Sequence, residues 1–210
     1  MKALALRPTS GHMLFKQNHL RSMMQPSESA QVAMRIALSG TPGSGKSRLA
    51  QELAEDFEIM SLEGLAEEMN LLSEVGEDGC REVDIDEMIA RLQESWGTPP
   101  SKSLVIDGHL SHLLPVDAVV VLRAHPLVID ARLHLREYSE EKIRDNVEYE
   151  MLSGPWLEMQ EIKMPVLELD SGSSSPEECA QSIVQWFDGG CKSISFDEVI
   201  DWLDEMASEE

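Results

Sequence analysis

The chain of 210 residues is poor in cysteine, poor in basic residues and without long apolar runs. Its 3 cysteines, Cys80, Cys179 and Cys191, are odd in number and form no Cys-x-x-Cys pair. That argues against both a disulfide framework and a four-thiolate zinc site. No apolar stretch approaches the roughly 18 residues a membrane helix requires. The opening MKALALRPTS meets an arginine too early for a secretory signal. A cytoplasmic protein with no membrane partner is expected. At 42% hydrophobic composition the chain is long enough for one well-buried core and too short for a second full domain.

Against 39 acidic residues there are 17 basic ones, a formal charge of −22. The imbalance is uneven: residues 1–33 carry Lys2, Arg7, Lys16 and Arg21 against Glu28, a net of +3, which leaves −25 for the rest. A surface that acidic repels free nucleic acid and favours basic protein partners, unless the charge serves solvation alone, as in a high-salt cytoplasm. Residues 1–33 show no sustained period and are rich in Ser, Gln, Met and His. They read as a flexible N-terminal extension or an over-long reading frame.

From Met34 onward, apolar runs and helical periods alternate. Five strands are expected: MRIALS (34–39), FEIM (57–60), SLVID (103–107), AVVVLR (118–123) and PVLELD (165–170). Helical patterns between them imply β-α-β units, hence an α/β fold with a five-stranded parallel sheet and helices on both faces. Helix starts are well marked. Asp84 with Glu87 precedes a stripe of Ile85, Met88, Ile89 and Leu92 that runs to Gly97, and Ser175-Pro176-Glu177-Glu178 opens a helix stopped by Gly189-Gly190. Ser195 with Glu198 predicts a final acidic helix over 189–210 with a stripe of Phe196, Val199, Ile200 and Leu203; it either caps the core or docks a basic partner. The stripe Leu62, Leu65, Ala66, Met69 and Leu72 reads as core in preference to a substrate-binding helix.

GTPGSGKS, residues 40–47, matches G-x-x-x-x-G-K-S/T in full, after an expected strand and before an expected helix. Glycines are needed because the loop must curl until its backbone N–H groups face phosphate oxygens. Gly43 and Gly45 provide the curl, the amides of Ser44 and Arg48 add to the cradle, Lys46 supplies a mobile charge and the Ser47 hydroxyl a Mg²⁺ ligand. ATP with Mg²⁺ is the expected occupant. A second carboxylate at a neighbouring strand end is then required, and LVIDGHLSH (104–112) offers Asp107. His109 and His112, three apart, invite a zinc, but no third ligand stands at a sensible spacing. A satisfied structural role is expected for His112. His109, beside the magnesium carboxylate, is expected to orient water or the lid.

GTPGSGKS soon after a Met, then VIDGHLSHLLP, VVVLR and RLHLREYSEEKIRDNVEYE, together resemble the atypical adenylate kinase family of archaea and eukaryotes, whose eukaryotic members include a nuclear, coilin-interacting ATPase. The resemblance spans roughly residues 34–188. It implies an adenylate-kinase-like P-loop NTPase fold, a monophosphate-binding segment near 61–84 and a lid near 135–145. It also implies phosphoryl transfer between nucleoside triphosphates and monophosphates, ATPase activity, and binding to a basic ribosomal protein of the uS11 type on the pre-small-subunit particle during late maturation. The family's lid Arg-Gly-Tyr reads Arg136-Glu137-Tyr138 here, and an arginine of the monophosphate segment in some members is replaced by Glu67.

Phosphoryl transfer moves charge onto equatorial oxygens, so arginines are expected near the γ-phosphate. Arg132 and Arg136, four apart, are placed on one face of a helix that begins at Pro126. Arg123 and Arg144 rank below them, as weaker contacts or ordinary surface charges. The catalytic set expected is Lys46, Asp107, His109 and Arg136, with Ser47 and Asp107 on the metal. Two rivals stand beside this reading: an assembly factor that uses ATP as a conformational switch, and a P-loop kinase for a small metabolite.

Overall fold

The computed structural model describes residues 32–76, 81–159, 163–193 and 199–208. Most of the expected N-terminal extension, Cys80 and the Ser195–Glu198 cap lie outside the described residues.

All five expected strands are present: β1 (Arg35–Ser39), β2 (Glu58–Ser61), β3 (Leu104–Asp107), β4 (Ala118–Arg123) and β5 (Val166–Asp170). They form one sheet in the order β2-β3-β1-β4-β5, every neighbouring pair parallel. The three central strands, β3, β1 and β4, are mostly apolar and buried because both faces are covered, whereas the edge strands β2 and β5 are only partly buried. Successive residues alternate between two cores. Ala37, Ile106, Val119 and Val121 face α2 (Leu62–Glu68) and α3 (Ile85–Ser95). Ile36, Leu38, Val105, Val120 and Leu122 face α1 (Lys46–Leu53) and α7 (Pro176–Asp188). A third cluster joins α4 (Pro126–His134) to α5 (Glu140–Met151) through Ile129, Leu133 and Ile143. A short α6 (Gly154–Glu158) follows.

The expected caps form. The Asp84 side chain accepts from Glu87 N, and Ser175 with Glu178 makes a reciprocal capping box. Leu62, Leu65 and Ala66 are buried, with Met69 and Leu72 packed against the same cluster, so that stripe is core. Cys179 and Cys191 are buried free thiols.

Two expectations are corrected. The last helix, α8 (Trp202–Ser208), does not run from Ser195: residues 199–201 are irregular, and Asp201 provides the cap by accepting from the N–H groups of Leu203 and Asp204. Its buried residue is Trp202, at 2% exposure, whereas Leu203 of the expected stripe is 48% exposed. A single indole outweighs the apolar stripe because it buries more surface and finds a partner for its N–H. Second, Arg123 is no surface charge; it is fully buried between two carboxylates.

Candidate active site

Because all strands are parallel, Ser39, Ser61, Asp107, Arg123 and Asp170 end on one edge of the sheet, where ligands gather in open α/β folds. The chain leaves β1 into residues 40–47. Gly40 at φ 135° has no room for a side chain: a Cβ would stand 2.1 Å from Leu122 O. Gly45 at φ 103° caps α1 in the left-handed region, which turns the first amides of that helix into the loop.

Lys46 folds back over this loop, its Nζ donating to the carbonyls of Gly40 (2.7 Å) and Thr41 (3.0 Å). Burial brings the ammonium from 10.5 down to about 8, with Asp107 opposing and Arg136 reinforcing the shift. The ammonium rests on loop carbonyls, and an anion arriving beside it would favour its charged form.

Two clefts flank the loop. The first, of about 300 Å³, is lined by Gly43, Ser44, Gly45, Arg48, Arg132 and Arg136 together with the Ser171–Pro176 region, Leu49, Leu122 and Cys179. Arg132 reaches across it to donate to Gly43 O (3.0 Å), and Ser171 Oγ donates to Ser44 O (2.6 Å). The second, of about 390 Å³, brings together Lys46, Ser47, Asp107, His109 and Arg136, with Ser61, Glu63 and Tyr138 at its rim. Every expected site residue therefore lines one cleft or the other. The expected single helical face of Arg132 and Arg136 is not what joins them: α4 ends at His134, and Arg136 follows in a turn. In that turn Glu137 holds φ 58°, at the position where the resembled family carries glycine.

His109 is solvent-exposed on its outer side. The crowding behind it and then the Lys46 ammonium pull its pKa from 6.5 down to about 4, so the imidazole is neutral. His112 is fully buried and both its nitrogens are engaged: Nδ1 lies 2.7 Å from Ser39 Oγ and Nε2 2.7 Å from Glu158 Oε2. Ser39 donates its one proton to His109 O (2.7 Å), so by donor counting Nδ1–H must donate to Ser39, and a further proton is shared between Nε2 and Glu158. Burial lowers the His112 pKa, and Glu158 pulls it back up. This imidazole is a strut between β1, the loop after β3 and α6. It has no free nitrogen for zinc, and no metal-binding group of three His, Cys, Asp or Glu occurs among the described residues.

The residue missed by sequence reasoning is Glu150. Fully buried at the end of α5, it accepts hydrogen bonds from Thr41 Oγ1 inside the loop, from Arg123 Nε (2.6 Å) and from Trp202 Nε1 (2.9 Å). On a helix otherwise rich in glutamate nothing in the local pattern marks it.

Mg²⁺ fits this donor set. Ser47 is exposed, Asp107 lines the same cleft, and both are oxygen ligands of the kind magnesium takes alongside water and phosphate. A curled glycine loop, an adjacent Lys-Ser pair and a strand-end aspartate define a P-loop protein of the α/β kinase fold.

Comparison with known proteins narrows this. The profile of a family described as an AAA domain matches residues 36–153. A protein of Pyrococcus abyssi named "Putative adenylate kinase" is 41% identical over 180 residues, covering 81% of this chain and 97% of that one. One of the same name from Thermococcus onnurineus is 36% identical over 174 residues, covering 82% and 93%. The chain belongs to this adenylate-kinase-like family. A solved gluconokinase from Sinorhizobium meliloti aligns over 77% of this chain and 95% of its own at 17% identity with a TM-score of 0.50, a likeness of fold alone. No helix among the described residues is long and apolar enough to cross a membrane.

Proposed function

We propose that the protein is a Mg²⁺-dependent nucleoside monophosphate kinase of the adenylate kinase type with ATPase activity, acting in the cytoplasm in late maturation of the small ribosomal subunit. The observation that carries the reading is the convergence of Lys46, Ser47, Asp107, His109 and Arg136 on one cleft beside the phosphate loop. In this reading the nucleoside of ATP occupies the first cleft, where Arg48, Leu49 and the Ser171–Pro176 region surround it. The amides of Gly43 to Arg48 hold the phosphate tail. Lys46 leaves the Gly40 and Thr41 carbonyls for the β- and γ-phosphates. Ser47 and Asp107 would hold Mg²⁺, which would neutralise charge on the phosphate oxygens. A phosphate oxygen of the monophosphate attacks the γ-phosphorus in line, a new P–O bond forms, and the bond to the β–γ bridging oxygen breaks, its electrons leaving on ADP. Arg136, which lines both clefts, and Arg132 offset the charge gathered on the transferring group. In the hydrolytic branch the neutral His109 orients the attacking water toward the γ-phosphorus, and the water's proton leaves with the phosphate product.

The ribosomal part rests on the family resemblance and on the −22 charge, which suits a basic partner of the uS11 type. One observation favours a second reading, in which ATP serves as a conformational switch: Glu67 stands where some members carry arginine, and it is exposed and 3.6 Å from Arg81. The test is to supply MgATP with each monophosphate in turn. Monophosphate-dependent ADP without free phosphate supports the kinase; ADP formed only in step with free phosphate supports the switch. Lys46→Ala is expected to lower either turnover by on the order of 10²- to 10³-fold.

A further inference from the structure

We propose that Trp202, on the C-terminal helix α8, positions the phosphate loop, so that docking of α8 and binding of a magnesium nucleotide favour each other. The proposal rests on the nucleotide reading above and goes beyond it, since Trp202 touches no part of either cleft.

Two supports of the loop end on this one side chain, which is 2% exposed. The first is polar. The Trp202 Nε1–H donates to Glu150 Oε1 (2.9 Å), and the other oxygen of the same carboxylate accepts from Thr41 Oγ1. Thr41 is the loop residue whose carbonyl receives Lys46 Nζ (3.0 Å). One carboxylate thus spans from the C-terminal indole to the carbonyl that parks the phosphate-binding lysine. The second support is packing. The indole meets His125 edge to face, centroids 5.4 Å apart. His125 caps α4 by accepting from Leu127 N (3.3 Å), and α4 carries Arg132, which holds Gly43 O.

The lattice leaves little freedom to either end. Arg123 binds both Glu150 and Glu168, and Glu168 Oε2 accepts from Ile200 N (2.7 Å), two residues before the indole. A buried carboxylate that loses a donor must find another or re-aim. Glu150 Oε1 keeps Arg123 Nε (2.6 Å) when the indole N–H is lost, so the carboxylate turns about that ion pair, and any turn changes what Oε2 offers Thr41. α8 is therefore a piece of the scaffold behind the loop, and because coupling between two equilibria is reciprocal, nucleotide must tighten α8 as α8 tightens nucleotide.

Amide hydrogen exchange on the full-length wild-type protein, with and without MgADP, tests this. Slowed exchange is expected in residues 40–47 and, several-fold, in 202–208. Protection at 40–47 with no change at 202–208 overturns the proposal while leaving the nucleotide reading intact. No change at either place overturns both. A second arm uses Trp202→Phe, which keeps a ring and removes the N–H. The expected result is a KM for ATP raised by about fivefold or more with kcat within about twofold. A loss of active fraction at unchanged KM marks a purely structural indole and overturns the proposal. Should the variant not fold, the exchange experiment on the wild type decides alone.

Discussion

The fold holds Lys46 in an unusual electrostatic setting and Glu137 in an unusual backbone conformation. Near pH 8 roughly half of the Lys46 side chains are neutral in the ligand-free protein, given a pKa brought down to about 8. A triphosphate restores the charge, so binding at pH 8 should take up roughly half a proton, and affinity should fall as pH rises through that value. Calorimetry in buffers of different ionisation enthalpy measures the uptake; none at pH 8 would place Lys46 away from the phosphates. Glu137 bears a side chain at φ 58°. The left-handed conformation costs a non-glycine residue about 1–2 kcal/mol, and glycine's extra unfolded-state freedom costs about 0.5–1, so the strain outweighs the entropy. Glu137→Gly should stabilise the protein by roughly 0.5–1 kcal/mol in denaturant melts.

Among the elements, the 3-10 turn Ser111–Leu113 after β3 depends on His112 for its place against the sheet. His112→Ala leaves Ser39 Oγ and Glu158 each short of a partner in a buried or half-buried setting. A loss of about 1–3 kcal/mol is expected in urea melts. Since Ser39 also fixes the His109 carbonyl, kcat for hydrolysis should fall with it. α8 shows the opposite balance of pattern and packing. Its apolar stripe is weak, yet the indole of Trp202 and the N–H of Ile200 complete a buried ion lattice. Because the helix is joined to that lattice, removal of residues 190–210 is expected to reduce ATP turnover and stability together, which thermal melts and phosphate release would show.

Across the protein taken together, charge is the largest imbalance. The sequence from residue 34 on carries a formal −25, and a compact body with that excess repels itself. Raising salt from 0.1 to 1 M shortens the screening length from about 10 to about 3 Å. The thermal midpoint should therefore rise with salt. A flat response would mean that the acidic groups are already neutralised by neighbours, and the acidity would then argue less for a basic partner.

The strands and the phosphate loop were legible in the sequence because each is a local matter. Short apolar runs alternating with helical patterns suit a covered parallel sheet, whose three central strands are buried on both faces, and the glycines that curl GTPGSGKS lie within the motif itself. The helix caps at Asp84 and Ser175 were legible for the same reason, their partners standing three residues away. Glu150, Arg123 and Trp202 were not, since their meaning lies in contacts 27 to 109 residues apart along the chain. Only the tertiary structure decides which of 39 acids is buried, because burying a charge is tolerable only where the fold delivers its partners. Residues near in sequence set the loop that grips a phosphate, and residues far apart set the frame that holds the loop.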